Sequence, residues 1–214
     1  MIDQHLSPIH TLIYDFGGVI TAPLITGILR LSQVVERDLE LIAAAMSEPV
    51  SGQELGPLAL LEVGGLTERD AVALFCDRLD LNPDQLHGEQ TFGQMWLSTL
   101  GIESETLAQA HQYKQAGIRL GLATNNVAEW RSIWQQLVGP DLFDFIVDSS
   151  ELGVRKPSLE FYLEVIRASQ GVQGVLVLDD EPDNIRAAQA SGFETLLWGP
   201  DPARSRRDLA RRLS

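Results

Sequence analysis

The chain has 214 residues, enough for one full core, or for a core with a small appended module. Hydrophobic residues make up 44% and charged residues 21%, the balance of a globular chain rather than a disordered one. The formal net charge of −14 opposes phosphate backbones and anionic membrane surfaces, so neither nucleic acid nor membrane is an expected partner, and an anionic substrate would have to be drawn by local donors or a metal.

The chain opens Met-Ile-Asp-Gln-His-Leu-Ser-Pro, without the basic and apolar regions of a signal peptide. No apolar run reaches the roughly 18 residues of a membrane span. Cys76 is the single cysteine, so no intramolecular disulfide forms, and its setting in Ala-Val-Ala-Leu-Phe-Cys predicts a small buried apolar residue rather than a catalytic thiol. A cytoplasmic location is the expectation. Thr11 to Asp15 is the first short apolar run that reads as a buried parallel strand. From about 21 to 95 the pattern changes. Helical stretches at Leu24 to Glu36, Asp38 to Met46 and Thr67 to Leu79 are broken by Gly52, Gly56, Pro57, Gly64 and Gly65, with no convincing strand. This reads as a helical insertion after the first strand, leaving 1–20 and 96–214 as the core.

Beyond it, strands and helices alternate. Thr106 to Ala116 reads as a helix, Arg119 to Thr124 as a strand, and Ala128 to Leu137 as a helix. Phe145 to Asp148 is a strand candidate, followed by a helix at Ser158 to Ser169. Val175 to Asp179 is the next strand, then a helix at Pro182 to Ser191 and a last strand at Glu194 to Trp198. Such alternation predicts an α/β fold with a doubly wound parallel sheet. The tail, Ser205 to Leu213, reads as a basic amphipathic helix, solvated rather than binding.

In an open parallel sheet, ligands bind beyond the carboxyl ends of the strands. The polar residues there are Asp15, then Thr124 with Asn125 and Asn126, Lys156, and Asp179 with Asp180. Carboxylates with a backbone carbonyl suit Mg²⁺. Thr124 and Asn125 offer donors to phosphoryl oxygens, and Lys156 offsets negative charge. A carboxylate that attacks phosphorus splits one hard step into two. Two readings stand for Thr124: a direct phosphate contact, or an N-cap for the helix from Ala128. Asp183 and Asn184 read as turn or cap residues. His5, His10, His87 and His111 show no ligand spacing and are assigned no role.

Four segments carry a resemblance. Tyr-Asp-Phe-Gly-Gly-Val-Ile at 14–20, Leu-Ala-Thr-Asn-Asn at 122–126, Leu-Gly-Val-Arg-Lys-Pro at 152–157 and Val-Leu-Asp-Asp-Glu-Pro-Asp-Asn at 177–184 are similar, in order, to the four motifs of the haloacid dehalogenase superfamily. The insertion resembles the α-helical cap of one subgroup. The resemblance implies a Rossmann-like core, with Asp15 as nucleophile and with Thr124 and Lys156 holding a phosphoryl or carboxylate group. It also implies Mg²⁺ bound by Asp15, the Gly17 carbonyl and Asp180, with Asp179 assisting, and a small phosphorylated substrate.

The pattern departs from the family at Gly17, where its phosphatases usually carry a second Asp that moves protons. General acid–base help is typically worth about 10²–10⁴-fold. Three readings follow: a phosphomonoester hydrolase of modest rate or with good leaving groups, a hydrolase of another bond such as carbon–halogen, and a non-catalytic phosphate and metal binder. The dehalogenase branch also lacks the second Asp but generally does not use the metal, so the acidic pair speaks against it.

Overall fold

The computed structural model describes residues 8–87, 90–139 and 141–214. Residues 1–7, with His5 and most of the opening segment, and the side chain of His87 lie outside the described residues. The strands are β1 (Thr11–Tyr14), β2 (Arg119–Thr124), β3 (Phe145–Asp148), β4 (Val175–Asp179) and β5 (Glu194–Leu197). They form one parallel sheet in the order β3-β2-β1-β4-β5. The central strands are buried along their length, which is why they read as continuous apolar runs.

Between β1 and β2 lies the helical insertion: α1 (Leu24–Val35), α2 (Leu39–Ser47), α3 (Pro57–Glu62), α4 (Glu68–Leu79), α5 (Pro83–His87) and α6 (Phe92–Leu100). The core helices follow as α7 (Ser104–Gln115), a 3-10 turn at Ala128–Trp130 leading into α8 (Arg131–Val138), α9 (Ser149–Leu152), α10 (Leu159–Ser169), α11 (Pro182–Ala190) and α12 (Pro202–Leu213). Local chemistry sets several starts. Pro57, Pro182 and Pro202 stand in first helical turns, where a missing N–H costs nothing. Thr91 and Gln94 form a reciprocal capping box on α6, and Ser158 Oγ accepts from Phe161 N at 3.2 Å to open α10.

Alternation along β1 divides the interior. Leu12 and Tyr14 join one cluster with Ala110 of α7, Trp134 of α8 and Leu209 of α12. Ile13 joins the other with Phe161 and Val165 of α10 and Ala188 of α11. The first cluster runs on without a break into the insertion through Phe92, Trp96 and Trp130, with Phe16 against Trp134 at a ring-centroid distance of 5.6 Å.

The entry and exit of the insertion are joined. Thr21 and Ile102 form an antiparallel bridge, and Glu103 N donates to Ile20 O at 2.8 Å. The division expected at 95 falls inside α6, which runs as one helix to Leu100. The tail is less solvated than its composition predicts. Leu209 is fully buried, Gly199 N donates to Ser205 Oγ, and Arg206 pairs with Glu105 of α7. Cys76 is buried, and burial pushes its thiol up, as expected of an inert residue. No helix among the described residues is long and apolar enough to cross a membrane.

Candidate active site

Asp15 follows the last residue of β1, and its own N–H donates to Leu178 O of β4 at 2.8 Å, so the two central strands fix its backbone. The chain then turns tightly. Ile20 N and Thr21 N both donate to Phe16 O at 3.0 Å, and Gly18 adopts φ +69°. A Cβ on Gly18 would lie 1.9 Å from an Asp180 carboxylate oxygen. Glycine is required there both by its conformation and by the closeness of Asp180. Gly17 differs: its φ lies outside the left-handed region, and a Cβ there would meet nothing within 4 Å.

Lys156 ties the site together. Its ammonium, almost fully buried, lies 2.8 Å from Asp15 Oδ1 and 2.7 Å from Asp179 Oδ2. Burial pulls its pKa down, but Asp15 and Asp179 outweigh burial and hold it above the ordinary lysine value, so it stays charged. Its backbone is held by Asn125, whose Oδ1 accepts from Lys156 N at 2.8 Å and whose Nδ2 donates to Lys156 O at 3.1 Å. Asn125 thus helps to place the lysine loop, through its carbonyl oxygen and one of its two amide N–H donors.

Asp179 is engaged in turn. Its carboxylate accepts from Lys156 Nζ, from Glu181 N at 2.9 Å, and from Asn184 Nδ2 at 3.0 and 3.1 Å. Asn184 was expected to serve a turn or cap. Instead it reaches back from the first turn of α11 to orient this carboxylate, and Tyr162 OH in turn donates to Asn184 O at 2.8 Å. Asp183 is exposed and pairs with Arg186 on the same helix. Thr124 is not a helix cap: Val127 holds that position before the 3-10 turn. The Thr124 hydroxyl is buried and has no hydrogen-bond partner among the described residues. Orphaned buried donors are uncommon and call for an explanation such as a ligand.

Oxygens of Asp15, Asp179 and Asp180 lie within 4.8 Å of one another. Against these three carboxylates stands one lysine, a surplus of negative charge. Burial, with Asp179 adding to it, pushes Asp180 up to about 6 despite Lys156. Burial likewise lifts Asp15 well above the usual carboxylate range, with Asp179 and Asp180 adding to it and Lys156 opposing. A hard divalent cation is the charge such a set lacks, and oxygen donors are its natural ligands. Asp15, the Gly17 carbonyl and Asp180 fit it. Asp179, whose oxygens are already engaged, suits an orienting role.

The insertion reaches this edge at two places that the sequence does not disclose. Glu62, from the end of α3, is buried and ion-paired with Arg155 at 2.8 Å, and its carbonyl accepts from Ser149 Oγ at 2.6 Å. Glu68, at the start of α4, accepts from Phe92 N and Gly93 N at 3.1 Å and from the Trp130 indole, while its own N–H donates to Glu129 at 3.0 Å. The His10 ring pairs with the neighbouring Thr11 hydroxyl, and His111 is exposed.

A sequence model of the haloacid dehalogenase-like hydrolases matches residues 9–192. The bifunctional epoxide hydrolase 2 of Rattus norvegicus is 27% identical over 203 residues, covering 86% of this chain and 35% of that protein. The chain thus spans about a third of the length of this curated relative. Among solved structures, a haloacid dehalogenase family enzyme of Bacteroides thetaiotaomicron in complex with magnesium and inorganic phosphate aligns with a TM-score of 0.63 at 19% identity, over 88% of this chain and 93% of that one. An L-2-haloacid dehalogenase aligns at 0.69 and 16% identity, over 97% and 99%. At such identities the structures show a shared fold.

Proposed function

From the premise that this chain belongs to the haloacid dehalogenase-like hydrolases, we propose that it is a Mg²⁺-dependent phosphatase of a small phosphomonoester, acting through an aspartyl-phosphate on Asp15. The observation that carries this reading is the Asp15–Lys156 pair beside a carboxylate surplus that calls for a cation, with the orphaned Thr124 hydroxyl at the end of the adjoining strand β2.

In this reading Thr124 Oγ1 donates to a phosphoryl oxygen and Lys156 offsets charge on both Asp15 and the phosphoryl group. The Asp15 carboxylate attacks phosphorus, the P–O bond to the alcohol breaks, and the alkoxide leaves. Water then hydrolyses the aspartyl-phosphate, releasing inorganic phosphate and restoring Asp15. Asn125 and Asp179 are positioning residues: the first holds the Lys156 backbone, the second its ammonium. When bound, Mg²⁺ supplies positive charge against the phosphoryl oxygens. Gly17 brings no side chain for proton transfer, so esters whose alkoxide leaves without a proton should react fastest.

The insertion serves in this reading as a cap of about residues 22–101, between the Thr21–Ile102 bridge ends. Carbon–halogen hydrolysis is the second reading, favoured by the bare position 17. The surplus of carboxylates over lysine at the site argues against it. The two separate in one assay: phosphate release from an activated aryl phosphate and halide release from a 2-haloacid, each with Mg²⁺ and with chelator. The proposal expects phosphate release that chelation abolishes. Halide release indifferent to chelation would overturn it.

A further inference from the structure

A cavity of about 70 Å³ lies between the insertion and the sheet edge. Gly17 and Asn125 line one side of it, on the loops that also carry Asp15 and Thr124; Leu58 of α3 and Trp96, Leu97 and Leu100 of α6 line the other. The cavity thus meets the chain at Phe16 and Gly17, the two residues that follow Asp15, and is closed on the far side by an apolar wall from the insertion.

The polar side chains in this lining are largely spoken for. Asn125 is bonded through both amide atoms to the Lys156 backbone. The Trp130 indole N–H is given to Glu68, and Asn126 Oδ1 accepts from Val127 N. Among the described residues Glu62 is the one charged residue lining the cavity, and Arg155 pairs with it from outside the lining. Among the described residues, no lysine or arginine lines the cavity to hold a second phosphate or a carboxylate. A polyol placed here would lose water and find few partners for its hydroxyls, whereas an alkyl group would gain apolar contact. The volume equals that of two to three water molecules at about 30 Å³ each, room for a short or singly branched carbon chain.

We propose that this cavity is the leaving-group pocket, and that it selects monophosphates of small, uncharged, apolar alcohols over those of sugars, polyols and nucleosides. The proposal rests on the phosphatase reading and names its substrate class. Leu58, half-buried on the insertion side of the lining, is a specificity-determining residue in it.

The test compares isobutyl phosphate with glycerol 3-phosphate, close in size and different in hydroxyls, with acetyl phosphate as a small activated control. With Mg²⁺, isobutyl phosphate should exceed glycerol 3-phosphate in kcat/KM by about 10-fold or more, the scale of apolar pocket discrimination. Leu58→Ser should narrow that ratio toward unity, read within the variant itself, with a melting curve showing that it folds. Titration with isobutylphosphonate and with 2,3-dihydroxypropylphosphonate gives the same comparison without turnover, and the first should bind about 10-fold tighter. Failure on all three phosphates, acetyl phosphate included, would defeat the phosphatase reading, while the phosphonate pair would still decide the pocket. Equal or inverted preference in kcat/KM or in phosphonate binding would overturn the apolar class.

Discussion

In the proposed reading, Gly17 stands two residues from the nucleophile Asp15 and brings no side chain to manage the departing proton. The structure removes the obvious obstacle to adding one. Gly17 has an ordinary backbone conformation, and a Cβ there meets nothing within 4 Å. Gly17→Asp should therefore fold, keep the backbone carbonyl, and place a carboxyl near the leaving oxygen. Kinetics on an alkyl and an aryl phosphate should show the alkyl ester improved by as much as about 10²-fold, at the low end of acid–base contributions, and the aryl ester little changed. A folded variant with no selective gain on the alkyl ester would mean that a different group already moves the proton. The neighbouring Gly18 is the contrasting case. Any Cβ there collides with the Asp180 carboxylate, so Gly18→Ala should disturb the acidic cluster itself.

At the scale of elements, the question is what seats the insertion on the core. Glu68 joins three pieces: the start of α4, the first N–H groups of α6, and the Trp130 indole of the core. Gly93 makes room for that indole, since a Cβ there would lie 2.2 Å from Trp130 Cδ1. Glu68→Ala removes the acceptor and should cost about 1.5–3 kcal/mol, as for hydrogen bonds to a charged group. In a chain of this size that is a drop of roughly 3–12 °C in melting temperature, with KM rising as the cap seats less well. An unchanged melting curve would show that apolar packing alone holds the insertion down. None of this was legible in the sequence. Strand ends could be read because burial leaves an apolar run with a polar stop at Asp15, Thr124 and Asp179. The partners of Glu62, Glu68 and Asn184 depend on how distant segments meet, and no local pattern encodes that. No change of pattern marks a boundary within α6 either, since its Phe92, Trp96, Leu97 and Leu100 all belong to the apolar cluster that the insertion shares with the core.

Across the whole molecule the net charge and the site charge share a sign, so a cation should stabilise the fold. At a Mg²⁺ concentration 100 times its dissociation constant, linkage gives about 2.7 kcal/mol, or a rise of about 5–11 °C in melting temperature for a chain of this length. Asp180→Ala should abolish most of that rise, and a response surviving the mutation would place the ion elsewhere. The doubly wound architecture and the strand-end residues were legible from the sequence because both follow from periodicity and burial. The contacts within the site were not, since the bonds of Asn125 to the Lys156 backbone and of Asp179 to Lys156, Glu181 and Asn184 depend on how separate loops meet. The most direct test of the central claim is to mix the protein with an aryl phosphate and Mg²⁺, quench in acid within the first turnover, and locate added phosphoryl mass by peptide mass spectrometry. The account predicts the phosphoryl increment on the peptide that contains Asp15, absent in a folded Asp15→Asn variant that no longer releases phosphate. Phosphate release by the wild type with no label at Asp15, or continued release by Asp15→Asn, would contradict it.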